Sequence, residues 1–233
     1  MSAITRGDVC AIAIAETFRG DGAIMASAMG AMPVLGARLA QATFEPDLMM
    51  TDGVATMVDG DGRAEAWMPF SKVFDVLWSG ERHVMMGASQ IDRFGNQNIS
   101  CLGDHARPKT QLLGVRGAPG NTICHPTSYW VQGHDARVFV PAVSMVSGIG
   151  TDRGAAEIRR VITNLGVFDF GSEAGTMRVR SLHPGVSLDE VVAATGFALV
   201  VPDEIPVSRD PTPEELAILE RLDPAARTRS AIA

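Results

Sequence analysis

Hydrophobic positions follow a helical period in some segments of the chain and gather into short runs in others. Val9 and Ile12 begin an apolar stripe behind Thr5 and Asp8, which is the pattern of an amphipathic helix. A threonine followed three positions later by an acidic residue resembles a capping box, so a helix is predicted from Thr5 towards Gly20. Further helices are predicted over 33–43 and 71–78, after Ser187 with Glu190, and after Thr212 with Pro213 and Glu215.

Short runs rich in β-branched residues and methionine separate these helices. Glycine, asparagine and proline bound the runs, which is typical of strands. The runs lie at 23–27, 48–51, 83–89, 98–103, 111–115 and 136–144, and a strand pair is predicted from 161–170 and 177–182. The alternation of helices with strands favours an α/β layer fold.

The chain contains no internal repeat, low-complexity tract or linker. Its 233 residues and 46% hydrophobic content are enough for one sizeable core, so a single domain over 1–233 is expected. The end of the chain, 225–233, is expected to be a flexible tail.

Charge and hydropathy narrow the classes of partner. A net charge of −7 disfavours nucleic acid, which proteins bind through concentrated lysine and arginine. No apolar run approaches the ~18 residues that a membrane span requires. Asp8 and Glu16 bracket the N-terminal apolar stretch, which argues against a signal peptide. We therefore expect a cytoplasmic protein that binds neither membranes nor nucleic acid.

Cysteine and histidine give no metal signature. The three cysteines, Cys10, Cys101 and Cys124, form no C-x-x-C pair, and an odd number argues against a disulfide framework. The five histidines lack the spacing of zinc ligands, and the acidic loop 58–65 lacks the liganding pattern of a calcium loop. No metal site is expected.

One segment of this acidic chain is locally basic and rich in glycine. Arg93, Arg107, Lys109 and Arg116 lie between positions 88 and 120, where a phosphorylated small molecule could bind. Within it, "GVRGAPGN" at 114–121 leaves backbone N–H groups able to approach an anion or a developing oxyanion. A plain turn has the same glycine content, so this stretch alone leaves both interpretations open.

The stretch "HPTSYWVQGH" at 125–134 places Tyr129 and Trp130 between two histidines. These aromatic side chains could line a ligand pocket, or they could lie buried beneath a strand, which is the commoner arrangement.

Four longer stretches carry a family resemblance: "GASQIDRFGNQNISCLGDHARPKTQLLGVRGAPGN", "VITNLGVFDF", "SLHPGVSLDEVVAATGF" and "PTPEELAILERLDP". They are similar to the β subunits of class I coenzyme A transferases of the glutaconate CoA-transferase type, nearly end to end. The resemblance implies an open, mostly parallel α/β sheet with helices on both faces. It also implies an active site shared with a related α subunit, in which the basic, glycine-rich segment faces coenzyme A.

Transferases of this type carry a nucleophilic glutamate after the strand that here reads "LMMTDG". The family position falls on Gly53 without gaps and on Asp52 with a shift of one residue. Glycine has no carboxylate, and aspartate is shorter by one C–C bond, roughly 1.5 Å. A misplacement of about 1 Å can cost on the order of 100-fold in rate. Asp52 is therefore expected to be a remnant or a turn residue, and the main carboxylate is expected on the partner subunit.

Arg116 stands where the transferase loop usually has a small residue. With "MTDG", "GVRG-x-PGNT", "H-x-TSYWV" and "SLHPGV", it resembles the branch of the family that hydrolytically opens the last ring of a steroid nucleus as a CoA thioester. The resemblance implies an αβ or α2β2 assembly that acts on an acyl-CoA in the catabolism of cholesterol or bile acids. Coenzyme A would enter as part of the substrate, and no other cofactor is expected.

Hydrogen-bond donors for the oxyanions of that reaction are the expected contribution of this chain. Arg116 is also expected to hold an anionic part of the substrate. The candidate substrate- or CoA-binding residues are Gly114, Arg116, Gly117 and Ala118 in the loop, with Asn96 or Asn98 as side-chain donors. Two other hypotheses stay open: a CoA transferase that uses Asp52, and a structural subunit that contributes no catalytic group.

Overall fold

The structure is a computed structural model, and it describes residues 4–51, 56–67, 71–72, 75, 80–115 and 117–232. The chain divides into two compact units. The first comprises Met1–Met86 and Arg209–Ala233, and the second is the continuous stretch Gly87–Ser208. The expectation of a single domain over 1–233 stays a prediction.

The described residues form helices that are separated by single strands or by runs of strands. The helices are α1 (Arg6–Thr17), α2 (Ala31–Thr43), α3 (Ala118–Cys124), α4 (Leu188–Ala193) and α5 (Pro213–Leu222), with a 3-10 turn at Thr151–Arg153. The strands are β1 (Met25–Ala28), β2 (Met50–Thr51), β3 (Thr56–Val58), β4 (Ala64–Trp67), β5 (Arg82–Met86), β6 (Gln90–Ile91), β7 (Gln97–Asn98), β8 (Cys101–Leu102), β9 (Thr110–Gln111), β10 (Pro126–Val131), β11 (Glu157–Thr163), β12 (Gly166–Asp169) and β13 (Arg178–Leu182). Most of the predicted helix 71–78 lies outside the described residues.

Capping boxes begin α1 and α5, as the sequence predicts. The Asp8 N–H donates to Thr5 Oγ1 at 3.2 Å, and the Thr5 N–H donates to the Asp8 carboxylate at 2.8 Å. Thr212 and Glu215 form the same reciprocal pair at α5. Each box provides acceptors for two N–H groups at a helix start, so both helices begin at defined positions.

In the first unit, α1 and α2 pack closely because a glycine lies at their contact. A Cβ at Gly36 would lie 2.3 Å from Ile14 Cγ2, far inside van der Waals contact. The strands β1 and β5 run parallel, with Met25 opposite Arg82. The strands β2, β3 and β4 form an antiparallel meander.

The C-terminal residues are tied to the first helix. Arg229 Nη1 donates to Asp8 Oδ1 at 2.5 Å, and both side chains are buried. The N–H groups of Arg227 and Thr228 donate to the Asp223 carboxylate, and Ile232 is buried. A buried ion pair and a buried apolar side chain therefore anchor part of this segment, and the expected flexible tail at 225–233 stays a prediction that these contacts do not favour.

The second unit contains the parallel pair β10 and β11, followed by the antiparallel strands β12 and β13. Its core contains Tyr129, Phe139, Ile162 and Phe168. Both units combine parallel strands with helices, so the expected α/β class with an open, mostly parallel sheet is confirmed. No helix in the described part of the chain is long and apolar enough to cross a bilayer.

The strand predictions for 111–115 and 136–144 in the second unit are wrong. Of the first run, only Gln111 lies in a strand, β9. The run 136–144 forms only an isolated bridge between Phe139 and Ile91, because Val138 and Phe139 both donate to the Asp135 carbonyl and form a turn. Pro141 has no N–H to extend the pairing. Conversely, β10 was not predicted, although its buried positions include Tyr129 and Val131.

Candidate functional site

The strand that leads to the family's nucleophile position is held firmly in the first unit. The Met49 N–H donates to Ile24 O at 3.0 Å, and the Ala26 N–H donates to Met49 O at 2.9 Å. Met50 is buried and pairs with Val58. Asp52 and Gly53 themselves lie outside the described residues, so the expectation that Asp52 is a remnant stays a prediction.

The glycine-rich loop lies in the second unit and leads into α3. Gly114 has φ +83°, a backbone conformation that favours glycine, and a Cβ there would meet nothing within 4 Å. Ala118 is buried, and its N–H donates to Val115 O at 3.0 Å. No acceptor is found for the Gly117 N–H in the described part of the chain. Arg116 lies outside the described residues.

Exposed apolar side chains flank this loop. Leu113 is 74% exposed and Ile123, on α3, is 52% exposed. Val115 is also exposed. Large apolar side chains so exposed in one short segment are a feature of surfaces that bind a partner or a ligand.

Serine and glutamine side chains fix the base of the loop. The Leu112 N–H and the Gln111 side-chain amide both donate to Ser100 O, at 2.9 and 3.0 Å. The Ser100 and Ser147 hydroxyls form a hydrogen bond of 2.8 Å, and Ser147 Oγ accepts from the Ile99 N–H. The loop therefore projects from a hydrogen-bonded frame.

Asn96 is buried and makes hydrogen bonds within its own chain. Its amide donates to the carboxylates of Asp92 and Asp152, at 3.0 and 2.9 Å, and its carbonyl oxygen accepts from the Gly150 N–H at 2.8 Å. We call Asp92, Asn96, Gly150 and Asp152 the asparagine network. Burial raises the pKa of Asp92, and the neighbouring charge of Asp152 adds to the rise, against hydrogen bonds from Asn96 and Phe94 that lower it.

The polar atoms of the Asn98 side chain also have hydrogen-bond partners within the chain. Its amide donates to Gln90 Oε1 at 2.8 Å and to Cys101 O at 2.7 Å, and its oxygen accepts from the Ser100 N–H at 2.9 Å. An amide has two N–H donors, and those of Asn96 and Asn98 both have acceptors inside the chain. Direct donation to substrate by Asn96 or Asn98 stays a prediction that this geometry does not favour. Their observed contacts join neighbouring segments of the second unit instead.

In the aromatic stretch 125–134, Tyr129 lies fully buried on β10, which is the commoner of the two predicted arrangements. His134 lies against Phe139, and its ring nitrogens contact the hydroxyls of Thr163 and Thr195. Burial lowers the pKa of His134 to about 4, so this histidine is neutral near pH 7.

Metal-ligating residues do not gather in the described part of the chain. It contains no group of three or more histidine, cysteine or acidic side chains placed to hold a metal ion. In the acidic loop, Asp59 accepts from the N–H groups of Asp61 and Arg63, as in a solvated turn.

A second charged group of residues was not foreseen from the sequence. On β11–β13, the guanidinium groups of Arg160, Arg178 and Arg180 surround the Asp169 carboxylate, and we call these four residues the arginine cluster. Arginine at alternate positions in "MRVRSL" was the available signal, because residues two apart in a strand share a face.

Comparison with known proteins identifies the class of this chain. Residues 56–194 match the family model described as coenzyme A transferase. The chain belongs to the coenzyme A transferase family.

Within that family, the chain is 52% identical to the cholesterol ring-cleaving hydrolase IpdB subunit of Rhodococcus jostii (strain RHA1), over 95% of this chain and 93% of that protein. It is 49% identical to the protein of the same name from Mycobacterium tuberculosis (strain ATCC 25618 / H37Rv), over 94% of this chain and 95% of that protein.

Solved structures agree with this placement. The crystal structure of Rhodococcus jostii RHA1 IpdAB matches with a TM-score of 0.95 and 49% identity, and the match covers 100% of both chains. Glutaconate coenzyme A-transferase from Acidaminococcus fermentans matches with a TM-score of 0.83, covers 97% of both chains and is 20% identical, so that likeness concerns the fold alone.

Proposed function

We propose that this chain is the β subunit of a two-subunit hydrolase that opens the last ring of a steroid nucleus, bound as a CoA thioester, in cholesterol or bile-acid catabolism. The observation that carries the proposal is the 52% identity, across nearly the whole of both chains, to a cholesterol ring-cleaving hydrolase subunit. Identity to a 3-oxoadipate CoA-transferase subunit of Pseudomonas knackmussii is only 28%.

The reaction is a hydrolytic retro-Claisen cleavage of a ring ketone that lies β to the thioester. Water adds to the ketone carbon and places negative charge on its oxygen. The bond from that carbon to the α carbon then breaks, and its electron pair moves onto the thioester as an enolate. A proton returns to the α carbon, and the former ketone carbon becomes a carboxylic acid. A glutamate of the partner subunit would take the proton from water.

This chain would contribute electrostatic stabilisation to both oxyanions. The candidates are the backbone N–H groups of Arg116 and Gly117, in the loop that also contains Gly114 and Ala118. The frame at Ser100 and Ser147 would hold that loop in position. The guanidinium of Arg116 would bind an anionic part of the substrate.

The assembly follows from the same proposal. The partner is an α subunit of the same family, in an αβ or α2β2 complex, and the compartment is the cytoplasm. Coenzyme A enters only as part of the substrate, and the enzyme needs no other cofactor. Cys10, Cys101 and Cys124 form no disulfide in the described part of the chain, which is compatible with a reducing compartment.

The decisive experiment reconstitutes this chain with its α subunit and supplies a cyclic β-keto acyl-CoA. We expect a product heavier than the substrate by one water, formed by the complex and by neither subunit alone. Ring opening by this chain alone would contradict the proposal. In the same assay, Arg116→Ala should lower kcat/KM, with Arg137→Ala as the control, because Arg137 pairs only locally with Asp135.

The transferase alternative is tested separately. Incubation with acyl-CoA followed by hydroxylamine or borohydride would mark an acyl carrier on Asp52. We expect that position to stay unmodified, and a modified Asp52 would support a CoA transferase instead. Full activity of a complex whose loop 114–118 has been replaced would favour a purely structural subunit.

A further inference from the structure

The arginine cluster holds more positive charge than its carboxylate can neutralise. Arg178 pairs with both carboxylate oxygens of Asp169, with Nε and Nη2 donating at 2.9 and 3.0 Å. Arg180 Nη1 lies at 3.4 Å and Arg160 Nη1 at 4.0 Å from Asp169 Oδ2. Three guanidinium groups around one carboxylate leave an excess of two positive charges.

Strand register builds this arrangement. Asp169 of β12 lies directly opposite Arg178 of β13. On the other side of β12, Val161 pairs with Phe168, so Arg160 falls next to Asp169 one step further along. Side chains at directly opposite positions of neighbouring strands share a face, so the cluster stands on one face of three strands.

No other carboxylate pairs with the two remaining arginines. Among the described residues, neither Arg160 nor Arg180 lies within 4.0 Å of any acidic group except Asp169. Burial lowers the pKa of Arg160, and the positive charge of Arg180 lowers it further. Packing like charges together is unfavourable, and an ion pair alone would need only Arg178.

The surface beside the cluster is open to a ligand. The side chains of Arg160, Arg178 and Arg180 are 27%, 34% and 51% exposed, while Asp169 is buried beneath them. Gly171 lies next to the cluster and donates its N–H to Asp169 Oδ1 at 3.1 Å. A Cβ at Gly171 would lie only 2.6 Å from Arg178 Nη2, so glycine keeps this guanidinium clear.

We infer that the arginine cluster is a binding site for a phosphate group of the monoester or diphosphate type. A phosphate monoester carries about −1.5 to −2 charge at pH 7, which matches the excess of the cluster. Planar guanidinium groups bind phosphate oxygens in bidentate geometry. Asp169 serves to fix the orientation of Arg178 before the ligand arrives.

Two sources could supply that phosphate: free phosphate compounds, or the phosphates of an acyl-CoA. The second source rests on the proposed function, and the first does not. Binding is therefore measured directly and without turnover. A failure of the ring-opening assay would then not decide whether the phosphate site exists.

The test is calorimetric titration of the full-length chain with inorganic pyrophosphate at low ionic strength. Wild type should bind, and Arg160→Gln/Arg180→Gln should bind at least about tenfold more weakly, because hydrogen bonds to charged groups contribute about a factor of ten or more. The control Arg63→Gln/Arg137→Gln removes the same charge from exposed local pairs, and its affinity should stay within about twofold of wild type.

Coenzyme A and 3′-dephospho-coenzyme A then distinguish the sources. If the cluster binds the 3′-phosphate, wild type prefers coenzyme A and the double variant does not discriminate. If it binds free phosphate compounds, the double variant loses pyrophosphate and keeps its affinity for coenzyme A. Either result supports a phosphate site.

Three outcomes would overturn the inference: no pyrophosphate binding to wild type, equal losses in the double variant and its control, or loss of binding when the partner subunit assembles. The last would mean that the partner covers the cluster. If the double variant misfolds by circular dichroism, the more exposed single variant Arg180→Gln replaces it, with Arg137→Gln as control.

Discussion

The asparagine network and the arginine cluster both surround a buried aspartate, and the pKa of that aspartate is shifted in opposite directions in the two. In the asparagine network, the neutral amide of Asn96 bridges Asp92 and Asp152, and burial raises the pKa of Asp92. In the arginine cluster, burial also acts to raise the pKa of Asp169. There, hydrogen bonds from Arg178 and Gly171 and the charges of Arg178 and Arg160 outweigh burial, and the pKa is lowered.

The difference separates structural polar groups from binding groups. Each polar atom of the Asn96 side chain has a partner inside the chain, so this amide joins Asp92 to the segment at Gly150 and Asp152 and has little capacity left for a ligand. The arginine cluster has donors to spare and lies at the surface. Whether a polar residue of a motif is structural or binds a ligand is therefore better judged from its unused hydrogen-bonding groups than from its presence in the motif.

The largest expected effect is on the asparagine network. Asn96→Ala would leave the buried Asp92 carboxylate and the exposed Asp152 carboxylate without their shared donor, and the buried Gly150 N–H without its acceptor. We expect the free energy of unfolding to fall by about 2–4 kcal/mol. Urea denaturation measures it, with Arg180→Gln as the comparison, for which the loss should stay below about 1 kcal/mol. Equal losses would remove the distinction between the two regions.

An intermediate effect is expected at the arginine cluster. Asp169→Asn would remove the carboxylate that Arg160, Arg178 and Arg180 share, and we expect a loss of about 1–3 kcal/mol near pH 7. Because the pKa of Asp169 is lowered on folding, its stabilisation is present above the ordinary pKa of about 4 and disappears as the pH falls through the lowered value.

Unfolding curves of Asp169→Asn and wild type should therefore converge as the pH falls below about 4. A stability difference that stays constant with pH would contradict the assigned charge interaction. Added phosphate should restore none of the variant's loss if the cluster binds no anion, and part of it if the cluster does.

The smallest effect is expected at Tyr129, on β10. Its hydroxyl is buried and has no hydrogen-bond partner among the described residues. Tyr129→Phe would remove an unsatisfied polar group and keep the ring, so the free energy of unfolding should stay the same or rise by up to about 1 kcal/mol. Thermal unfolding measures this change, with Tyr129→Leu as the control that also loses ring volume. A clear loss in Tyr129→Phe would show that the hydroxyl has a partner.

Local signals gave the helices and much of the strand pattern. The capping boxes at Thr5 and Thr212 act over a few residues, so the sequence alone located both helix starts. The motif containing Asn96 and Asn98 was recognised, but its role was not, because Asp152 and Gly150 come from a distant part of the chain. The arginine cluster was missed for the same reason, since strand register brings Arg160 to Asp169.

The buried pair of Asp8 and Arg229 has a consequence for the order in which the protein folds. Asp8 precedes its counterion by 221 residues, so α1 is synthesised long before Arg229. The unit formed by the uninterrupted stretch Gly87–Ser208 has its full sequence well before the unit that joins the two ends of the chain. During translation, the Asp8 carboxylate therefore has its contacts with Thr5 but lacks its counterion until Arg229 has been added.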